Sequence, residues 1–154
     1  PLGRSKMLAR AVVRNRPINS TKELAEIICS CTHARSKIHP ATRVFQAIRI
    51  VVNDELGQLE EGLNGALAIT KSEGRIVVVD FHSLEDRIVK TFFANNSAKK
   101  VHVSRYKETE TNNEYPLSFV SKVISPSDEE CSKNPRARSA KLRYAITRKE
   151  KNNE

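Results

Sequence analysis

The first half of the chain carries its hydrophobic residues at helical spacing. A first apolar stripe must end before Pro17, because a residue that precedes proline disfavours helical geometry. Ser20 and Glu23 then form a capping box, and Pro40 suits the first turn of a further helix. In residues 54–70, leucines recur three or four positions apart. The pattern predicts four helices up to about residue 70, with glycines in the last one that favour close packing on a sheet.

The pattern changes at Ile76, where four β-branched residues stand in a row. Such a run is typical of a strand that is buried on both faces, and the helices predicted on either side make it a parallel strand of an α/β sheet. Ser83 is the predicted N-cap of the next helix, with Glu85 and Asp86 in its first turn, where negative charge favours the helix dipole.

The last third of the chain predicts a loop and two strands. Residues 95–116 are polar and of mixed charge, which predicts a mobile loop. Apolar and polar residues alternate in SFVSKVI, residues 118–124, and again around Leu142 and Tyr144. We therefore expect an antiparallel pair of strands at the edge of the sheet, with a loop over residues 126–134 between them.

Composition narrows the class of protein. The chain has 154 residues, the length of one domain, and 38% of them are hydrophobic, with no apolar run long enough for a membrane helix. We expect a soluble, cytoplasmic protein with no membrane partner, whose three cysteines are reduced thiols rather than disulfide or zinc ligands. Because the chain opens with Pro1, we expect it to be a piece of a longer protein.

The charges are unevenly distributed along the chain, and the net charge is +9. Residues 1–52 hold ten Lys and Arg against two Asp and Glu, residues 53–131 hold nine against fourteen, and residues 132–154 hold eight against two. Basic ends around an acidic middle suggest a polyanionic partner such as RNA, because clustered cations attract phosphates. A basic surface that serves only solubility is the alternative.

No standard catalytic signature is present, so the catalytic residue is unknown, and no spacing of residues predicts a metal site. Asp80, Phe81, His82 and Arg87 lie at or just beyond the carboxyl end of the predicted strand, where open α/β sheets bind ligands. His82 could be a general base, although an unpaired histidine is more often a hydrogen-bonded structural residue.

The basic segment of residues 134–141 suits phosphate contacts, since arginine binds phosphate oxygens with two parallel hydrogen bonds. Tyr144 is the one aromatic residue near this segment. Phosphate positioning is therefore favoured over base readout.

Three stretches together resemble one family. IHPATRVFQAIRIVVNDEL (38–56), GRIVVVDFHSLEDRIVKTFF (74–93) and NPRARSAKLR (134–143) closely resemble the bacterial small-subunit ribosomal RNA methyltransferase H family, also called the MraW family. The resemblance implies transfer of a methyl group from S-adenosylmethionine to N4 of a cytidine in small-subunit ribosomal RNA. It also implies a doubly wound, Rossmann-like methyltransferase sheet that is interrupted by a helical insertion.

By this resemblance the chain is the C-terminal part of such an α/β fold. Residues 1–52 resemble part of the helical insertion, residues 53–148 the C-terminal part of the methyltransferase domain, and residues 149–154 form a polar tail. The first four strands are missing, and with them the glycine-rich turn that would hold the cofactor. We therefore expect S-adenosylmethionine to bind the intact parent and not this chain.

The resemblance also suggests roles for individual residues. His82, Ser83 and Arg87 would line the substrate side of the cleft. RNA phosphates would be held by five cations: Arg43, Arg49, Arg136, Arg138 and Lys141. The family usually has serine at position 80, where this chain has an aspartate, and this departure puts a direct binding role for Asp80 in doubt.

Two functions from different classes remain open. The chain is either an inactive fragment of a methyltransferase or a non-catalytic module that binds RNA or assists assembly. In both cases the predicted sheet lacks neighbours, so the strand at 75–81 would expose an edge and one face. We expect the chain alone either to self-associate through that edge or to be poorly ordered in its loops, unless another chain covers the edge.

Overall fold

The structure, a computed structural model, describes residues 5–32, 39–98 and 115–148. Most of the loop predicted over residues 95–116 and the tail at residues 149–154 lie outside these ranges. The chain divides into two compact units, Pro1–Glu55 and Leu56–Glu154. None of the described helices is long and apolar enough to cross a membrane.

The first unit contains three helices: α1 (Ser5–Arg14), α2 (Thr21–Ser30) and α3 (Pro40–Val52). The capping box at the start of α2 is confirmed, because Ser20 Oγ accepts a hydrogen bond from the Glu23 amide at 3.1 Å. Glu23 in turn accepts from the amide of Asn19 at 2.9 Å, one residue before the cap. Helix α2 contacts both α1 and α3 and contributes the fully buried side chain of Ile28.

The second unit combines helices with a small sheet. Its helices are α4 (Glu55–Ile69), which starts at the last residue of the first unit, α5 (Ser83–Asn95), α6 (Asp128–Lys133) and a 3-10 helix (Pro135–Ser139). Its strands are β1 (Arg75–Asp80), β2 (Leu117–Val120) and β3 (Lys141–Thr147). The two short helical segments between β2 and β3 were predicted as loop, because neither is long enough to show a helical apolar stripe.

The strands form a sheet in the order β1-β3-β2, and β3 is antiparallel to both neighbours. The predicted antiparallel pair is confirmed, although β2 is shorter than predicted and ends at Val120. Beyond it, Ile124 forms an isolated bridge with Leu142. β1 lies at one edge of the described sheet, and its pairing there is antiparallel; no parallel neighbour is among the described residues.

The prediction that β1 is buried on both faces is wrong. Ile76 is buried, whereas the side chains of Val77 and Val79 are 57% and 51% exposed. Val77 lies opposite Tyr144 in the strand register, and the Tyr144 ring lies 5.6 Å from that of Phe119, which is 46% exposed. We call this side of the sheet, with Val77, Val79, Phe119 and Tyr144, the open face. Within the described residues, helices cover the opposite face.

The core of the second unit lies between the helices and the covered face of the sheet. Helices α4 and α5 and all three strands contribute buried residues to it: Leu63, Ile76, Val89, Phe93, Leu117 and Ala145. The helical stripe predicted for residues 54–70 is therefore confirmed at Leu63, which is 3% exposed. This packing holds α5 against all three strands.

Gly62 and Gly65 of α4 do not pack closely on the sheet. A Cβ atom added at Gly62 or Gly65 would have no neighbour within 4 Å, so the predicted reason for these glycines is wrong. Gly74 is different, because its Cβ would lie 2.5 Å from Thr70 Cγ2 and 2.7 Å from the Lys71 carbonyl oxygen. Close approach of backbone therefore requires glycine in the turn before β1.

Alanine substitutions at these glycines should have opposite effects. Gly74→Ala should lower the free energy of unfolding by at least about 1 kcal/mol, because a backbone atom must move to admit the methyl group. Gly62→Ala should raise it by up to about 1 kcal/mol, since alanine has the higher helix propensity and meets open space. Urea denaturation followed by circular dichroism measures both, and equal changes of the same sign would contradict the packing described.

Candidate functional site at the carboxyl end of strand β1

A two-residue turn joins β1 to α5. The strand ends at Asp80 and the helix begins at Ser83, so only Phe81 and His82 lie between them. His82 has extended backbone geometry and is the N-cap, because its Nδ1 accepts a hydrogen bond from the Glu85 amide at 3.3 Å. The prediction that Ser83 is the cap is therefore wrong. The imidazole already occupies the free amide that a serine cap would have used.

Glu85 fixes the same turn from the helix side. Its Oε2 accepts a hydrogen bond from the Phe81 amide at 3.1 Å, and its Oε1 lies 3.3 Å from His82 Nε2. Hydrogen bonds thus run both from the turn to the Glu85 side chain and from the Glu85 amide to the turn, as in a capping box. The chain has little freedom at the position where a ligand would approach the end of the strand.

The cap also determines which nitrogen of His82 carries a proton. Nδ1 accepts a hydrogen bond, so the neutral imidazole carries its proton on Nε2. The side chain is 11% exposed, and Nε2 is buried without a well-aligned hydrogen bond despite its proximity to Glu85. In this geometry His82 can donate through Nε2 but has no free lone pair, which argues against a role as general base.

A cluster of charges that the sequence did not predict lies beside the turn. Asp86 accepts hydrogen bonds from Lys141 Nζ at 2.9 Å and from Arg143 Nε at 2.8 Å, and so joins α5 to β3. The side chains of Asp86 and Arg143 are 15% and 12% exposed. The hydrogen bond from Arg143, more than that from Lys141, holds the pKa of the Asp86 carboxyl below its ordinary value.

Asp80 is a buried carboxylate without a partner. Its side chain is 3% exposed, and neither of its oxygens has a hydrogen-bond partner among the described residues. Burial raises the pKa of Asp80 above its ordinary value, and the negative charges of Asp86 and Glu85 raise it further. Lys141, directly opposite in the strand register, lowers this pKa only in part, because its ammonium group is bound to Asp86.

The two arginines of the basic segment lie on a short helix with a capped start. Arg136 and Arg138 lie in the 3-10 helix with exposed side chains, and Ala137 between them is buried. Asn134 caps this helix, since its Oδ1 accepts a hydrogen bond from the Arg136 amide at 3.2 Å. The sequence predicted phosphate contacts here, and the structure leaves both guanidinium groups accessible for them.

The other predicted cations differ in their surroundings. Lys141 is bound to Asp86, and its side chain is 36% exposed. In the first unit, Arg43 is exposed, whereas Arg49 forms a 2.7 Å ion pair with Glu55. Arg43 and Arg49 are six residues apart, which places them about 120° apart around α3. They therefore do not form one basic patch on that helix.

The candidate substrate residues share one short segment but differ in exposure. Ser83 and Arg87 are exposed on α5, whereas His82 is half-buried. The Asp86 cluster was missed because its cations are fifty-five and fifty-seven positions away in sequence. The alternation of β3, which places Lys141 and Arg143 on one face of the sheet, was the signal that could have predicted it.

Comparison with known proteins decides how this strand, turn and helix are classified. A model of the MraW methylase family matches residues 3–148. The chain belongs to the MraW methylase family. The match includes β1, the turn, α5 and the basic 3-10 helix, so the elements described above are those of a MraW methylase.

Curated MraW relatives carry the name ribosomal RNA small subunit methyltransferase H. The protein from Sinorhizobium medicae (strain WSM419) is 52% identical over 145 residues, which are 90% of this chain and 42% of the relative. The protein from Rickettsia africae (strain ESF-5) is 50% identical over 148 residues, which are 92% of this chain and 48% of the relative. The chain therefore spans less than half the length of these relatives.

Proposed function

We propose that this chain is the C-terminal half of an S-adenosylmethionine-dependent methyltransferase that acts on N4 of a cytidine in small-subunit ribosomal RNA. The observation that supports the proposal is the family match over residues 3–148, together with about 50% identity to relatives named ribosomal RNA small subunit methyltransferase H. A ribosomal RNA substrate would place the protein in the cytoplasm.

The turn after β1 does not fit an S-adenosylmethionine site. Turns that bind nucleotide cofactors use glycines so that backbone amides can approach the ligand closely. Here the positions between strand and helix hold the side chains of Phe81 and His82, and the imidazole occupies the amide of Glu85. We therefore propose that the cofactor is held by residues of the parent that this chain lacks, and that the chain alone does not transfer methyl groups.

Arg136 and Arg138 are the best supported RNA contacts. Both are exposed on a capped helix, whereas Arg49 and Lys141 already have acidic partners. Phosphate binding by arginine releases counterions, so affinity falls steeply with salt. His82, Ser83 and Arg87 would lie on the substrate side through their position at the end of β1.

A non-catalytic RNA-binding or assembly module is the second candidate. One observation favours it: His82 and Glu85 are used in capping the helix, and Asp86 is used in holding β3. A structural explanation therefore accounts for these residues without any reaction. The basic 3-10 helix would bind RNA in the same way under either function.

Two measurements on the chain test these proposals. Incubation with radiolabelled S-adenosylmethionine and small ribosomal subunits should give no methylation by this chain, while the full-length Sinorhizobium relative modifies the RNA. Anisotropy titrations with single-stranded RNA should show binding, and Arg136→Gln with Arg138→Gln should reduce the salt slope by about 1 for each lost contact. Lys133→Gln, which removes a cation paired with Glu129, is the matched control and should leave the slope unchanged.

Methylation by the isolated chain would contradict the proposed lack of activity. An unchanged salt slope in the double variant would remove Arg136 and Arg138 from the RNA interface. Absence of RNA binding at low salt would contradict both functions.

The open face supports a further expectation about association, and so does the edge of β1 that has no neighbouring strand among the described residues. An uncovered strand edge is a template for pairing with another chain, and Val77 and Val79 add exposed apolar area next to it. Sedimentation velocity should therefore show a sedimentation coefficient that rises with protein concentration. A compact, monodisperse monomer across the concentration range would contradict self-association.

A further inference from the structure

The side chain of Phe81 takes no part in the hydrogen bonds that cap α5. Its side chain is 57% exposed. Among the described residues no other aromatic ring is paired with it, whereas the ring of Phe119 lies 5.6 Å from Tyr144. Among the described residues, more than half of the Phe81 surface is therefore accessible at the end of β1.

The exposure of Phe81 does not come from a loose loop. Its amide donates to Glu85 Oε2 at 3.1 Å, and the next residue, His82, caps α5. The backbone on both sides of the ring is thus held by the same helix turn. An aromatic side chain has only two rotatable bonds, so a ligand that stacks on it orders little additional structure.

The position and the chemistry point to one kind of ligand. In the doubly wound sheet of the proposed parent enzyme, ligands would bind outside the carboxyl ends of the parallel strands, and Phe81 lies at the carboxyl end of β1. Enzymes that modify a base in RNA or DNA take that base out of the stack and hold it against aromatic or apolar side chains. Leu84, 43% exposed in the first turn of α5, adds apolar surface to the same segment.

We propose that Phe81 stacks against an unpaired nucleobase of the RNA substrate. This inference rests on the proposed function, since it assumes that RNA reaches the carboxyl end of β1. Stacking supplies the affinity for the flat face of the base, and the polar groups around the turn do not need to read its edge. Phe81 is therefore a positioning residue for the base.

The chain contains no tryptophan, which permits a direct test. Phe81→Trp introduces a single indole whose fluorescence is quenched when a base stacks on it. We expect single-stranded RNA with an unpaired cytidine to quench this emission more than the same RNA with an abasic site. Phe119→Trp, a comparably exposed aromatic position on the open face, is the control and should not distinguish the two RNAs.

A second variant measures the contribution to affinity. Phe81→Ala should weaken binding of the cytidine-containing RNA by about 5- to 150-fold, the range for loss of one stacked base. It should change binding of the abasic RNA little, and Phe119→Ala should change neither. Circular dichroism of both variants checks that the fold is retained.

Three results would overturn the inference. RNA binding with equal quenching by both RNAs would remove Phe81 from the base site while leaving the proposed function intact. A blue shift of Phe81→Trp emission that rises with protein concentration, without RNA, would show that a second copy of the chain covers this ring. Absence of RNA binding by the unsubstituted chain would overturn the proposed function and the stacking together.

Discussion

Replacing Asp86 with asparagine is expected to lower the free energy of unfolding by about 3 kcal/mol, the range in which breaking a buried ion pair falls. The carboxylate binds both Lys141 and Arg143, and these bonds join the start of α5 to β3. Arg143 is 12% exposed, so its guanidinium would remain poorly solvated and without its counterion. Urea denaturation at neutral pH, followed by circular dichroism, measures the loss.

The pH dependence of this loss follows from the lowered pKa of Asp86. Because the folded-state pKa lies below the unfolded value, the ion pair contributes its full stability above the unfolded value. That contribution is lost as the pH falls through the folded-state pKa, so the difference between Asp86→Asn and the unsubstituted chain should shrink in acid. Glu129→Gln, which breaks an exposed pair with Lys133, should have no measurable effect. A similar loss in both variants would mean that burial of the Asp86 cluster contributes nothing.

Replacing Asp80 with asparagine should raise the free energy of unfolding, whereas the substitution at Asp86 lowers it. The substitution keeps the shape of the side chain and removes a buried charge that has no hydrogen-bond partner among the described residues. We expect the free energy of unfolding to rise by about 1 kcal/mol or more at neutral pH, because burying a charged group costs more than burying the neutral amide that replaces it. The same denaturation experiment measures the gain.

The gain should depend on pH in the direction set by the raised pKa of Asp80. A group whose folded-state pKa is raised stabilises the fold fully below its unfolded value, and this stability is lost as the pH rises through the folded-state pKa. Asp80→Asn should therefore match the unsubstituted chain in acid and exceed it at neutral pH. Asp80→Ser should show the same trend with a smaller gain because the shorter side chain leaves unfilled volume. A loss of stability at neutral pH in both variants would indicate that Asp80 has a partner that the described residues do not include.

The sequence predicted the helices and strands better than it predicted which of their residues are buried. The capping box at Ser20, the leucine stripe that buries Leu63 and the β2–β3 pair all depend on residues that are close in sequence, and all are confirmed. Burial of Val77 and Val79 was predicted wrongly, because a run of β-branched residues reports the environment of a complete sheet. In this chain the second layer of that environment is not among the described residues.

The sequence predicted the location of the candidate site but not its side-chain contacts. The carboxyl end of β1 follows from the order of strand and helix, and so does the presence of acidic residues in the first turn of α5. The choice of His82 over Ser83 as the cap depends on side-chain geometry that residue preferences do not contain. The link from Asp86 to Arg143 depends on the register of β3 against β1, which no local pattern specifies.

The strand order β1-β3-β2 also has a consequence for synthesis of the chain. The central strand of the described sheet, Lys141–Thr147, is the last of the three to leave the ribosome, and the other two strands touch it rather than each other. Until it emerges, β1 and β2 have no described strand with which to pair, apart from the single bridge between Leu117 and Ser97. Pairing must therefore wait for contacts far apart in sequence, which slows folding. Loss of Lys141–Thr147 would thus leave the other two described strands without a sheet.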